Sequence, residues 1–158
     1  MEDIDRQLKL SYAAGIIDGE GSIDCCVSPV RGTRKNPSHR IRVKVSMCDM
    51  DSIVVLQELF GGKAPIRLRS HLLRNQRPIF EWCIRSFRAV SALNEMLPYL
   101  RLKRRKALVA IELGKRVSSN SHGRVISFGE LDERTKLYQR LRNMNGRGMS
   151  ELNVEFGK

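Results

Sequence analysis

Two segments near the N-terminus alternate apolar and polar residues with the period of two that is typical of a half-buried β-strand. In residues 22–28, isoleucine, cysteine and valine alternate with serine, aspartate and cysteine. In residues 40–46, isoleucine and two valines alternate with two arginines, a lysine and a serine. Residues 66–69 and 80–85 repeat the alternation. The pattern predicts an antiparallel sheet with one apolar face and one largely basic face.

Helices are predicted before and after each pair of strands. The signals are capping residues followed by apolar residues at helical spacing. The expected helices, with their capping residues, cover about residues 3–18 (Asp3 or Asp5), 50–60 (Asp49 or Asp51), 87–97 (Ser86), 102–117, and 128–143 (Ser127 with Glu130). The order of elements is therefore α-β-β-α-β-β-α-α-α. A polar loop at residues 118–123 divides the chain into a core at 1–117 and a C-terminal part at 118–158, which comprises this loop, a helix and a tail. We expect the C-terminal part to pack on the same α+β domain.

The composition favours a polyanionic partner. The 158 residues contain 29 Lys and Arg against 17 Asp and Glu, which gives a net charge of +12. The basic residues are clustered without acids in residues 31–44 and 61–80, and again in residues 101–106. Because each phosphate contact releases counterions, such clusters bind nucleic acid well. Charge alone leaves the type of nucleic acid open, and a ribosome-associated protein stays an alternative.

The four cysteines do not form a metal-binding pattern, because none are spaced as C-x-x-C and only three histidines accompany them. Reduced thiols are expected, and the acidic N-terminus lacks the apolar run of a signal peptide. We therefore expect an intracellular protein, in the cytoplasm of a prokaryote or in an organelle matrix. No stretch is long enough to predict a membrane span.

Residues 13–21 read Ala-Ala-Gly-Ile-Ile-Asp-Gly-Glu-Gly, an order that an ordinary core does not require. The small residues at its start allow another backbone to approach closely. Gly19 and Gly21 flank Glu20 at the expected helix end, where glycine tolerates positive φ and a nearby ligand. A carboxylate held there is well placed to bind a divalent cation. The stretch resembles, position for position, the motif of the LAGLIDADG homing endonucleases.

A second landmark lies some 80 residues further along the chain. Residues 97–103, Leu-Pro-Tyr-Leu-Arg-Leu-Lys, are similar to the family's Leu-x-Pro-Tyr/Phe-Leu-x-Leu-Lys segment. Phe80, Trp82 and Ile84 resemble its aromatic strand pattern. The resemblance covers about residues 6–117. It implies the α-β-β-α-β-β-α LAGLIDADG fold, with an antiparallel DNA-binding sheet and, in this chain, extra C-terminal helices.

The resemblance implies a site-specific endonuclease that hydrolyses phosphodiester bonds of double-stranded DNA with Mg²⁺, for which Mn²⁺ is expected to substitute. Glu20 matches the metal-binding acid of the family, and the carbonyl of Gly19 is a second expected ligand. Lys103 matches a lysine near the cleavage centre, where it would stabilise negative charge. Asp18 matches the other acid of the motif, for which a capping or structural role is expected.

The polar face of the predicted sheet is the expected DNA-binding surface, because an antiparallel ribbon fits the major groove and arginine pairs with guanine. The residues expected on this groove face are Asp24, Cys26, Ser28, Arg40, Arg42, Lys44, Arg67, Arg69, Glu81 and Arg85.

A single copy of the motif implies half of an active centre. We therefore expect a homodimer whose two-fold interface is formed by Ala13, Ala14 and Gly15, and a long, partly palindromic DNA target. Enzymes of this family are usually encoded within introns or inteins.

Besides the conservative changes at Ala13 and Glu20 within the motif, the chain departs from the family at two further positions. Met47 and Asp51 stand near positions where relatives often carry a glutamine and a basic residue, which puts the solvent network in question. Two alternatives stay open: an RNA-binding maturase that acts on its host intron, and a DNA-binding regulator of the same fold that does not cleave.

Overall fold

The computed structural model describes residues 2–32, 35–62, 66–67, 77–119 and 125–144, without the side chains of residues 2, 66 and 67. The described elements follow the predicted order: α1 (Glu2–Glu20), β1 (Gly21–Ser28), β2 (Ser38–Met47), α2 (Met50–Phe60), β3 (Ile66–Arg67), β4 (Ile79–Arg85), α3 (Ser86–Met96), α4 (Arg104–Ser119) and α5 (Phe128–Asn143). The predicted α+β class is confirmed. None of these helices is both long and apolar enough to cross a lipid bilayer.

The strands form one antiparallel sheet in the order β1-β2-β4-β3. Strand β2 is central and pairs over most of its length with β1, where Asp24 lies opposite Arg42. On its other side Arg42 lies opposite Arg85 of β4. Because strand side chains alternate between faces, this register collects the polar positions of three strands on one surface.

The opposite face of the sheet forms the hydrophobic core with the helices. Ile23, Val43 and Trp82 are fully buried there, together with Leu93 of α3 and Leu113 of α4. The predicted apolar face is therefore confirmed.

The short helices begin with different local arrangements. Asp49 caps α2 as predicted, since its side chain accepts a hydrogen bond from the Ser52 N–H at 2.9 Å. The prediction that Ser86 caps α3 is wrong, because Arg85 occupies the cap position without a side-chain bond. Ser86 is the first helical residue and has φ of +55°, an uncommon conformation for a residue other than glycine.

The C-terminal helix α5 packs on α4 and on the edge strand β1. Ser127 caps α5 by accepting from the Glu130 N–H, but the other half of the predicted capping box is absent. The Glu130 carboxylate instead binds the buried Arg134 at 2.9 Å and Arg116 of α4 at 3.0 Å. Both arginines lower the pKa of Glu130, Arg134 most of all. This ion-pair cluster fastens α5 to α4.

Candidate metal and nucleic-acid site

Helix α1 ends at an exposed carboxylate and passes into β1 without a loop. Glu20 is the last residue of α1 and Gly21 is the first of β1. A side chain at Gly21 would place its Cβ 2.7 Å from the Ile17 carbonyl oxygen, so only glycine fits this turn. Gly19 and Gly21 do not adopt the positive φ that we expected. Close approach of the helix backbone, and not left-handed φ, explains Gly21.

Asp18 anchors the segment that follows α3 to the end of α1. Its carboxylate accepts hydrogen bonds from the backbone N–H groups of Arg101 at 2.7 Å, Leu102 at 3.2 Å and Lys103 at 2.9 Å. A carboxylate with three N–H donors is well satisfied and is not free for a metal ion. The geometry therefore agrees with the structural role that the sequence predicted for Asp18.

The Lys103 side chain returns to the same helix end. Its Nζ donates to the carbonyl oxygens of Ile17 at 2.8 Å and Asp18 at 2.7 Å, two acceptors at the C-terminal end of α1. Burial lowers the pKa of Lys103, while the nearby charges of Asp18 and Glu20 oppose that shift. The two predicted catalytic residues, Glu20 and Lys103, are thus brought together at one helix terminus.

The donor atoms at this terminus suit a hard divalent cation. Glu20 and Gly19 are exposed, and carboxylate and carbonyl oxygens are the ligands that Mg²⁺ prefers. The C-terminal end of a helix also carries partial negative charge, which favours a cation beside it. The described residues contain no group of three or more His, Cys, Asp or Glu side chains that could hold a metal ion. Among the described residues, Glu20 and Gly19 are therefore the exposed oxygen donors at this helix terminus.

A cavity of about 810 Å³ connects Glu20 with the polar face of the sheet. Lys44, Ser46, Met47 and Glu81 line it from the sheet, and Cys48 and Asp49 line it from the chain between β2 and α2. Met47 therefore borders the open space beside Glu20, where a solvent-organising side chain would act. Asp51 is exposed in the first turn of α2 and does not line this cavity.

The groove face carries paired charges. Arg42 forms two hydrogen bonds to Asp24, Lys44 lies 3.0 Å from Glu81, and Arg40 donates to Ser28 at 3.2 Å. Cys26 and Arg85 complete the described part of this face, at register positions beside Arg40 and Arg42. Arg67 belongs to β3, but its side chain is not described, and Arg69 lies outside the described residues.

Two further basic residues approach this face from the helices, and sequence reasoning missed both. Arg142 of α5 and Arg42 line a cavity of about 240 Å³ at the edge of β1. Lys106 of α4 interacts electrostatically with Asp24, and burial together with the charge of Lys103 lowers its pKa. Only the basic run at 101–106 hinted at Lys106, whereas the placement of Arg142 depends on how α5 packs.

The predicted dimer interface needs correction at two of its three residues. Ala13 and Ala14 have no exposed surface in the single chain, because both pack into its own hydrophobic core. They cannot contact a second subunit. Gly15 is exposed, and a Cβ built on it meets no atom within 4 Å. The interface prediction is kept for Gly15 alone.

No protein-family model matches the sequence, and no curated protein matches it. Solved structures do match. The chain is similar to the homing endonuclease I-CvuI in complex with its target, with 21% identity, a TM-score of 0.70, and 91% of this chain and 87% of that chain covered. It is also similar to I-Vdi141I, an archaeal intron-encoded homing endonuclease complexed with DNA, with 17% identity, a TM-score of 0.68, and coverage of 94% and 88%.

A third similar structure is the meganuclease I-SmaMI bound to uncleaveable DNA, with 15% identity and a TM-score of 0.64. That match covers 87% of this chain but only 45% of I-SmaMI, so the chain spans about half the length of that protein. These structures are LAGLIDADG homing endonucleases. At such identities the likeness establishes the fold, and this chain has the LAGLIDADG homing endonuclease fold. The resemblance seen in the sequence is confirmed at that level.

Proposed function

We propose that this protein is a site-specific endonuclease of the homing type that cleaves double-stranded DNA as a homodimer. The observation that carries the proposal is the exposed carboxylate of Glu20 at the end of α1. It lies beside Lys103 and lines the same cavity as residues of the groove face. The same fold in I-CvuI and I-Vdi141I, both solved with DNA, supports it. Intron or intein encoding belongs to the proposal.

The metal belongs to the same proposal. Glu20 and the Gly19 carbonyl would hold Mg²⁺, or Mn²⁺ in its place, with waters, DNA phosphate and the second subunit completing the shell. Such an ion would polarise a phosphate oxygen and lower the pKa of a bound water. Lys103, whose Nζ donates to two carbonyl groups, would keep a positive charge at a fixed place beside the phosphate that reacts. I-CvuI was solved with Mg²⁺ and with Ca²⁺, which supports the choice of a divalent ion.

A homodimer would complete the centre. Ile4, Leu8, Ser11, Gly15 and Gly19 are all exposed and lie within one stripe of α1 at the helical repeat of about 100° per residue. Ile4 and Leu8 are apolar and more than 60% exposed. Pairing two such stripes around a two-fold axis would bury them and bring the two Glu20 side chains together. The match to half of I-SmaMI supports two copies per active protein.

The decisive test is cleavage of a plasmid library of randomised, partly palindromic sites. We expect double-strand cuts at a small set of related sequences with Mg²⁺ and none with EDTA. Cleavage that persists in EDTA would overturn the proposal that the enzyme needs a divalent cation. Sequence-specific binding without cleavage would overturn the endonuclease and favour the regulator. Preference for structured intron RNA over duplex DNA would favour the maturase.

The described cysteines Cys25, Cys26, Cys48 and Cys83 are all free thiols. We propose that the protein acts inside a prokaryotic cell or an organelle matrix, where thiols are kept reduced.

A further inference from the structure

The Asp24–Arg42 pair on the groove face differs from every other described contact there. Asp24 of β1 and Arg42 of β2 lie directly opposite each other. The Nε of Arg42 donates to Oδ1 at 2.9 Å, and its Nη2 donates to Oδ2 at 2.8 Å. Two parallel charge-assisted bonds fix the plane of the guanidinium group as well as its distance.

This pairing leaves a defined edge of Arg42 available. A guanidinium group has five N–H donors, of which Asp24 takes the Nε–H and one on Nη2. The remaining edge presents one N–H of Nη1 beside one of Nη2. That edge is the fork that matches O6 and N7 of guanine in the major groove. Arg42 also lines the cavity at the edge of β1, and its side chain is 33% exposed, so part of the side chain is open to a ligand.

The neighbouring cations lack this arrangement. Lys44 forms a single ion pair with Glu81 at 3.0 Å, and an ammonium group has no plane to fix. Arg40 has one recorded bond, from Nη2 to the Ser28 hydroxyl at 3.2 Å. Among the described residues of the groove face, Arg42 is therefore the cation whose orientation is set before any ligand binds.

On the basis of the proposed endonuclease function, we propose that Asp24 is a positioning residue that makes Arg42 read a G·C base pair, one in each half of the target. Asp24 does not contact the base itself. It holds the guanidinium in the reading geometry, so less side-chain freedom is lost when the correct base is bound. Its carboxylate also repels DNA phosphates wherever Arg42 finds no guanine to compensate.

A purely structural role for Asp24 predicts a different outcome. Arg42 lies between Asp24 and Arg85, and like charges opposite each other on a sheet are destabilising. If Asp24 only neutralised these two arginines, its loss would lower stability and change binding to all sequences alike. A positioning role requires a loss confined to one base pair.

The test uses the target found by library cleavage, with every single-base-pair change made in turn. Binding is measured in EDTA and cleavage in Mg²⁺ for the wild type, Asp24→Asn, Arg42→Lys and the double variant. Glu81→Gln is the matched control, because it removes the acid of the neighbouring pair. The wild type should prefer G·C about ten- to a hundredfold at one position of each half-site.

We expect Asp24→Asn to lose most of that preference while binding unrelated DNA more tightly, because a negative charge is removed. Arg42→Lys should lose the same preference with the charge kept, and the double variant should lose no more. Glu81→Gln should leave that position unchanged. Thermal unfolding checks that each variant is folded. If Asp24→Asn does not fold, Asp24→Glu takes its place, because it keeps the charge but moves the carboxylate and should lose the same preference.

Four results would overturn the inference or the proposed function on which it rests. Retained preference in Asp24→Asn, or an equal loss at all positions, removes the positioning role but leaves the endonuclease intact. Loss of the same preference in Glu81→Gln would mean that the pairing is not specific to Asp24. A wild type that neither binds nor cuts duplex DNA overturns the proposed function itself.

Discussion

Helices α1 and α2 each precede a pair of strands, yet they end in different ways. At the end of α2, the Gly61 N–H donates to the Gln57 carbonyl at 2.8 Å, and the Gly61 carbonyl accepts from the buried Trp82 indole at 2.8 Å. The end of α2 is thus stabilised by a backbone hydrogen bond and by a side chain of the hydrophobic core. At the end of α1 a charged side chain, Lys103, donates to the carbonyls of Ile17 and Asp18, and Glu20 stays exposed.

Within the repeated α-β-β order, the end of α2 therefore has the features of a structural element, and the end of α1 has those of a reactive site. Gly61 has φ of +67°, so α2 is terminated by a conformation that glycine adopts readily. No such residue stops α1, whose last residue leads straight into β1. A helix end that is closed by a lysine from the segment between α3 and α4 keeps positive charge beside an exposed carboxylate. We therefore expect changes at α1 to affect cleavage and changes at α2 to affect stability.

The largest expected effect is that of Glu20→Gln. The amide keeps the size of the side chain but removes the charge that would hold a cation, so cleavage should fall by about 10²–10³-fold or more. Binding to the target should persist. Glu58→Gln is the matched control, because Glu58 is an exposed carboxylate near the end of α2. Equal cleavage by Glu20→Gln and the wild type, in single-turnover assays, would remove Glu20 from the mechanism.

The second-largest effect on cleavage is expected for Gly15→Leu, because this variant should weaken the dimer. A Cβ at Gly15 meets nothing in its own chain, so leucine is tolerated in the monomer. Across a two-fold axis the new side chains would meet each other, and overpacking costs about 1–3 kcal/mol at each contact. Analytical ultracentrifugation should show a shift toward monomer, with loss of double-strand cleavage. Gln57→Leu, at an exposed position of α2, should change neither. A dimeric, active Gly15→Leu protein would place the interface elsewhere.

Lys103→Ala should slow cleavage far more than it weakens binding. One phosphate contact among many is replaceable, whereas a charge fixed beside the reacting phosphate is not. The variant also leaves the Ile17 and Asp18 carbonyls without their charged donor, which should lower stability by about 1.5–3 kcal/mol. Rates are therefore compared below the melting temperature of the variant. Equal losses of cleavage and binding would mean that Lys103 only contacts the DNA backbone and has no role in catalysis.

The sequence predicted the elements and the helix terminus because both depend on local signals. Alternation identified the strands, and the motif at residues 13–21 identified Glu20. The interface prediction at Ala13 and Ala14 was wrong because small residues also fit a tight core, and only packing decides which side of a helix is covered.

Contacts between distant elements were beyond sequence reasoning. The pairing of Asp24 with Arg42 depends on strand register, which alternation alone does not set, because a shift by two residues keeps the same faces. The Glu130 side chain does not form the expected capping bond, because it binds Arg134 of its own helix and Arg116 of α4 instead. Arg142 reaches β1 only through the packing of α5. The contacts of Asp24 with Arg42, of Glu130 with Arg116 and of Arg142 with β1 are tertiary contacts with no local signal, whereas Arg134 follows Glu130 at the local i,i+4 spacing.

The smallest expected effect on cleavage is that of Trp82→Phe, which tests the α2 side of the comparison. Phenylalanine keeps an aromatic ring in the core but loses the indole N–H that binds the Gly61 carbonyl. The lost hydrogen bond and the space left by the smaller ring should together lower the free energy of unfolding by about 1–3 kcal/mol. Chemical denaturation measures this loss, and cleavage per folded molecule should match the wild type. A variant that is stable but cleaves poorly would show that the end of α2 shares in catalysis, and the division between the two helices would not hold.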